Sequence, residues 1–164
     1  MNIELRRTTT ADFNRYFEIL SNKEVPQEVG LPRFDSEIAK QIHFNAVLSN
    51  RFSYGIFESE NFIGIITLSP NIPDEGIFEL GYFLDKYFWN QHIMTDAIRK
   101  FIGIIKNADP LITVMIANTW VTNVASKKVL ENNGFHFSEQ IIETSAYDFL
   151  PHKVDQFKLN LAEW

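Results

Sequence analysis

Apolar and polar residues alternate over Ile3-Glu4-Leu5, which predicts a first strand ending at Arg6 or Arg7. Thr8, Thr9 and Thr10 supply side-chain oxygens suited to capping a helix, and the helical period then continues through Phe13, Tyr16, Phe17 and Leu20. Pro26, Gly30 and Pro32 mark an irregular connection. Asp35 or Ser36 opens a second helix, with Ile38, Ile42, Ala46 and Val47 expected on its inner face. Two strands follow, Arg51 to Glu58 and Asn61 to Leu68. The tight Ser59-Glu60 turn between them makes a hairpin. Pro70 and Pro73 are assigned to the next loop.

A fourth strand is expected from Gly76 to Leu84. A polar turn and a helix come next, the helix with Ile93, Ala97, Ile98, Phe101, Ile102 and Ile105 at helical spacing. Leu111 to Ala117 has the β-branched character of a buried strand. Asn123 opens a short helix with Val129 and Leu130 inward, and Gly134 stands where a left-handed C-cap belongs. Phe135 to Ile142 and Val154 to Leu161 then close the sheet as an antiparallel pair. The order is β-α-α-β-β-β-α-β-α-β-β, an α/β (α+β) fold with a mixed sheet of about six to seven strands and four flanking helices. The passage from Glu79 to Lys106 carries the most chemistry. A helix that starts directly after a strand and turn offers unpaired backbone N–H groups and the positive end of its dipole, both suited to a phosphate or pyrophosphate.

Composition narrows the function. The 164 residues suit one compact domain over 1–164, and 45% apolar content with 15 Phe implies a core rich in aromatics. A net charge of −6 argues against general nucleic-acid binding. The absence of cysteine excludes a disulfide framework, a thiolate metal site and a cysteine nucleophile. His43, His136 and His152 lack metal-ligand spacing with acidic partners, so no metal is expected. The N-terminus has no secretion signature, and no apolar run approaches the roughly 20 residues of a membrane span. The expectation is a soluble, cytoplasmic protein with no membrane or nucleic-acid partner.

Two segments together resemble the GNAT family of N-acetyltransferases, most closely its ribosomal-protein-acetylating branch of RimJ and RimL type. The first runs from Glu79-Leu-Gly-Tyr-Phe-Leu-Asp through Tyr87-Phe-Trp-Asn-Gln-His-Ile-Met-Thr. The second is Asn123-Val-Ala-Ser-Lys-Lys-Val-Leu-Glu-Asn-Asn-Gly-Phe. The resemblance covers nearly the whole chain. It implies that the fourth and fifth strands splay apart at a bulge, with acetyl-CoA in the resulting V. Its pantetheine would pair with the fourth strand near Phe83 and Leu84. Its diphosphate would rest on the loop Asn90, Gln91, His92, Ile93, Met94 and Thr95. Asn123 would contact pantetheine. The sequence departs from the family at His92, which stands where a glycine is usual, and Asn90 also replaces a frequent glycine. Both residue types tolerate left-handed backbone.

The same resemblance points to Glu79 as a general base for the substrate ammonium and to Ser126 as the donor that returns a proton to the CoA thiolate. Read as plain residues, Glu79 is a strand-end carboxylate, Asn123 an N-cap and Ser126 a first-turn serine. Lys127 and Lys128 read as a solvated helix face, one of them within reach of the CoA 3′-phosphate. Tyr82, Phe83, Tyr87, Phe88 and Trp89 read mostly as packing. Without a cysteine nucleophile, transfer from acetyl-CoA to a primary amine in one ternary complex is expected. A non-catalytic module that binds acyl-CoA or a protein partner is the alternative, motivated by His92. The acceptor is assigned to the side formed by Ser21–Pro32 and Leu68–Gly76, made acidic by Glu24, Glu28, Asp74 and Glu75. A homodimer is left open.

Overall fold

The computed structural model describes residues 2–72 and 75–164, so Pro73 and Asp74 lie outside the described residues. Its strands are β1 (Ile3–Arg7), β2 (Ser53–Glu58), β3 (Asn61–Ile72), β4 (Ile77–Leu84), β5 (Val114–Trp120), β6 (His136–Thr144) and β7 (Pro151–Asn160). Its α-helices are α1 (Phe13–Ser21), α2 (Glu24–Val29), α3 (Glu37–Ser49), α4 (Ile93–Ala108) and α5 (Val124–Glu131). The strands form one seven-stranded sheet in the order β1-β2-β3-β4-β5-β7-β6. Every neighbouring pair is antiparallel except β4 and β5.

Alternating side chains send two cores to opposite faces of this sheet. One joins Ile63, Ile66 and Leu68 of β3 to Ile98, Phe101 and Ile105 of α4 and Leu130 of α5. The other joins Phe62, Ile65 and Phe83 to Tyr16 and Phe17 of α1 and to Phe44 of α3. This second cluster is built from edge-on rings, such as Tyr16–Phe83 with centroids 5.2 Å apart and Phe13–Phe44 at 5.3 Å. Among the described residues, no helix is long and apolar enough to cross a membrane.

Four local expectations need correction. The connection around Pro26 contains α2. Pro26 lies in its first turn, where a missing N–H breaks no intrahelical bond, and Gly30 ends the helix at φ 66°. In α3 the buried residues are Phe44 and Val47, while Ile38 and Ile42 are 74% and 67% exposed. One helix face alone can meet the sheet, and the rings of Phe13 and Tyr16 select the face that carries Phe44. The strand expected from Leu111 starts later, at Val114. Asp109 ties Leu111 into a turn through a side-chain bond to its amide at 3.0 Å. Pro70 belongs to β3, in the stretch that extends beyond the last rung with β2, Ser53–Thr67.

Gly30 also governs a close approach. A Cβ there would stand 2.7 Å from a ring carbon of Trp120, whose Nε1 donates to the Gln27 carbonyl at 3.1 Å. This contact ties α2 to β5. Gly30→Ala is therefore expected to lower stability by at least the roughly 1–2 kcal/mol of a left-handed non-glycine residue. Urea unfolding checks it, and an unchanged midpoint would show that Trp120 yields at no cost.

Candidate active site

β4 and β5 share only three parallel rungs: Ile77–Val114, Phe78–Met115 and Glu79–Ile116. Beyond Glu79 the strands part. β4 stays paired with β3 as far as Leu84, and β5 stays paired with β7 as far as Trp120. Among the described residues no bulge accompanies the split, contrary to expectation. The β3–β4 register runs without a shift from Gly64–Leu84 to Pro70–Phe78, and its irregularity lies at Pro70/Ile72. The parted strands enclose a cleft of about 820 Å³. The residues expected to carry catalysis or hold the cosubstrate line it: Glu79, Phe83, Leu84, the run Asn90 to Thr95, Asn123 and Ser126.

One end of the cleft is a cradle of backbone donors. Among the described residues, the amides of His92, Ile93, Met94 and Thr95 have no acceptor, and the first bond of α4 is Asp96 N–H to His92 O at 3.1 Å. His92 sits at φ 61°, ψ 5°, and Asn90 at φ 59°. Both thus adopt the left-handed conformation that glycine takes most readily. The loop is braced from behind. Asp85 is buried, pairs with Arg15 of α1 and accepts from the Tyr87 amide at 3.1 Å. Arg15 Nε also donates to Phe62 O at 3.1 Å, and Trp89 Nε1 donates to Leu84 O at 2.8 Å. Trp89 is therefore a strut for the loop, whereas Tyr87, expected to pack, is 87% exposed. Among the described residues, Lys128 is the one Lys or Arg side chain that lines the cleft.

The opposite end is acidic. Glu79 and Glu143 face the same amide: Asn118 Nδ2 donates to Glu143 Oε1 at 2.6 Å and lies 3.4 Å from Glu79 Oε1. Asn71 Nδ2 donates to the other Glu79 oxygen at 3.2 Å, and Gln156 Nε2 fixes Asn118 Oδ1 at 3.1 Å. Partial burial, reinforced by the charge of Glu79, raises the Glu143 pKa above its ordinary value, and the Asn118 bond opposes the rise. Val29, Glu28 and Trp120 also line the cleft. From the expected acceptor side, α2 contributes Val25, Glu28 and Val29 to the lining. Leu68–Gly76 contributes Asn71 behind Glu79 and, among the described residues, no wall. Glu24 points away and pairs with Lys86 at 2.5 Å.

Between the two ends lies the start of α5. Asn123 caps the helix by accepting the Ser126 amide at 2.9 Å. Ser126 Oγ lies 2.7 Å from the phenol oxygen of Tyr82. Lys127 corrects the reading of a solvated face. It donates to Val121 O at 2.8 Å and pairs with Asp155, whose carboxyl is held below its usual pKa by Gln140 and Lys127. Tyr82, read as packing, places its phenol in this site, and Asn118 and Glu143 are not marked by the sequence pattern. Asn118, a polar residue directly after the buried β-branched run Leu111 to Ala117, was the available signal.

A carboxyl with a raised folded pKa disfavours the folded state once it is ionised, and that penalty fades as pH falls through the folded pKa towards the unfolded one. Glu143→Gln is therefore expected to raise the melting temperature near pH 8. The gain should shrink on acidification and level off below the ordinary Glu pKa of about 4.3. Thermal denaturation across pH checks this, and a gain independent of pH would contradict it.

A family model described as an acetyltransferase (GNAT) domain matches residues 2–136. No curated protein sequence matches the chain significantly. Among solved structures, the acetyltransferase of Salmonella typhimurium that modifies the N-terminal serine of ribosomal protein L7/L12 superposes with TM-score 0.80 at 22% identity, covering 98% of this chain and 95% of that one. Spermidine N-acetyltransferase from Vibrio cholerae, solved with CoA and spermine, gives TM-score 0.83 at 12% identity, with 98% and 96% covered. The ribosomal-protein-S5-alanine acetyltransferase of Vibrio fischeri gives 0.78 at 17%, with 100% and 96% covered. At these identities the likeness is one of fold. The family match extends from β1 through α5, across the splayed strands and the amide cradle, and the chain accordingly belongs to the GNAT acetyltransferases, enzymes that use acetyl-CoA.

Proposed function

We propose that this chain acetylates a cationic primary amine, a protein N-terminus or a small polyamine-like molecule, in a single ternary complex with acetyl-CoA. The observation that carries the reading is the polarity of one cleft: unpaired amides at one end, Glu79 and Glu143 at the other, with Lys128 and Glu28 also in the lining. The likeness to ribosomal-protein and spermidine acetyltransferases supports an amine acceptor of this kind. In this proposal residues 1–164 act as one cytoplasmic catalytic unit, as a monomer or a homodimer.

The residues present fit the cosubstrate. The His92–Thr95 amides and the positive end of α4 suit a diphosphate. The left-handed backbone at Asn90 and His92 keeps the loop path that a glycine would allow, so His92 is no reason to deny binding. Lys128 suits the 3′-phosphate, and the unpaired edge of β4 at Phe83 and Leu84 suits the pantetheine amides. Acetyl-CoA supplies the acetyl group as an activated thioester.

The Glu79–Glu143 pair removes a proton from the acceptor ammonium, and burial and its neighbour make Glu143 more basic than an ordinary glutamate. Ser126 donates to the sulfur as it departs. Activity then falls as pH drops through the Glu143 pKa. Removing the Glu79 charge lowers that pKa and moves the acid limb to lower pH.

The test joins calorimetry with CoA to pH–rate profiles on a panel of cationic, neutral and acidic amines. Glu143→Gln is expected to lower turnover by about 10²–10⁴-fold while leaving CoA affinity unchanged. Glu79→Gln is expected to shift the acid limb downward, and cationic amines are expected to be preferred. CoA binding with no turnover on any amine would assign a binding module instead. Full rates in both variants at every pH would remove the carboxylate pair from the chemistry.

A further inference from the structure

We propose that Tyr82 is a positioning residue for acetyl transfer. Its phenol donates to Ser126 Oγ across 2.7 Å and so leaves the serine hydroxyl hydrogen free to point at the leaving sulfur. The inference rests on the reading of Ser126 given above.

Two hydroxyls in contact can share their hydrogen in either direction, and the acidity of the two groups chooses one. A phenol is a stronger acid than an alkyl alcohol and therefore the better donor of the two. Burial pushes the Tyr82 phenol above its ordinary pKa, which keeps it protonated and able to donate. Neither oxygen has another hydrogen-bond partner among the described residues. With one lone pair of Ser126 occupied by Tyr82, the serine O–H has only the cleft to serve.

The serine is fixed from both sides. Asn123 holds its amide at 2.9 Å, and Tyr82 holds its hydroxyl. Tyr82 itself has little freedom. Its strand is paired with β3 at the Ile66–Tyr82 rung, and its ring packs against the core beneath α4 and α5. A serine on a first helical turn otherwise rotates freely between rotamers. The phenol selects one of them and polarises the O–H that remains.

As the amide forms, the thioester C–S bond breaks and its electron pair stays on sulfur. Ser126 keeps its proton and stabilises the thiolate with a hydrogen bond. The ammonium gives up one proton to the Glu79–Glu143 pair before attack. Its second proton leaves the nitrogen as the amide forms and passes to solvent. The thiolate takes a proton from water when the pH lies below the thiol pKa. No oxidant, reductant or further reactant is needed.

Tyr82→Phe removes the hydroxyl and keeps the ring. The decisive readout is the thiol pKa of bound CoA, followed by thiolate absorbance in a pH titration of the complex. Steady-state kinetics and melting temperature are measured on the same samples. Ser126→Ala is expected to raise the bound-thiol pKa. Tyr82→Phe is expected to raise it by a smaller amount and to lower kcat by about 2- to 10-fold, with KM for the amine unchanged. The double variant is expected to match Ser126→Ala alone, because Tyr82 acts only through the serine.

If Ser126→Ala shifts the thiol pKa and Tyr82→Phe does not, the role of Tyr82 falls and that of Ser126 stands. If neither variant shifts it, or CoA does not bind, the reading of Ser126 falls and this inference with it. A larger loss from Tyr82→Phe than from Ser126→Ala, with both variants melting normally, would reverse the direction of the bond and also overturn the proposal.

Discussion

The site depends on the parallel ladder between β4 and β5 stopping after three rungs. Both strands continue, and each remains paired on its other side, so the sheet survives the split. The split leaves the inner edge of β4 from Leu80 to Leu84 without a partner strand, although Leu84 O is taken by the Trp89 indole. Unpaired backbone groups are costly in a dry core and cheap beside water or a polar ligand. An open edge of this length is therefore stable only where the cleft is wet or filled. The clamps on either side match this need. Arg15 and Asp85 brace the loop after β4, while Gly30, Gln27 and Trp120 seat α2 against β5.

The split also separates two kinds of electrostatics. On one side the four free amides of the α4 N-terminus carry partial positive charge without a crowd of lysines, so the chain can stay acidic overall and still receive an anion. On the other side two carboxylates share one amide, and Gln156 holds that amide in place. Partial burial and the charge of Glu79 make the Glu143 carboxyl more basic than an ordinary glutamate, so a base is available without a histidine.

Much of this was legible in the sequence because the informative features were local. The strand-turn-helix from Glu79, the capping role of Asn123 and the left-handed Gly134 each follow from short-range chemistry. The elements that closed the cleft were not local. α2 looked like an interruption because Pro26 and Gly30 read as breakers, yet one sits in the first turn and the other just past the last. The inner face of α3 was misjudged because Ile38, Ile42 and Phe44 are equally apolar in a pattern, and only the rings of α1 decide among them. Glu143 lies on an edge strand between the exposed Ile142 and Thr144. It acquires meaning only when β6 is laid beside β7, next to Asn118 of β5. Tyr82 was hidden in a run of aromatics, where period alone cannot distinguish a packing ring from one whose oxygen reaches a serine.

The central claim is that the cosubstrate completes the interrupted sheet and occupies the amide cradle. Residue-resolved hydrogen exchange with and without CoA tests it directly, because it reads the backbone groups themselves. The account predicts added protection at the amides of His92 to Thr95 and along β4 between Gly81 and Leu84, with β1 and β6 unchanged. Saturating CoA that leaves those amides as fast as before, or protects a different edge of the sheet, would contradict it.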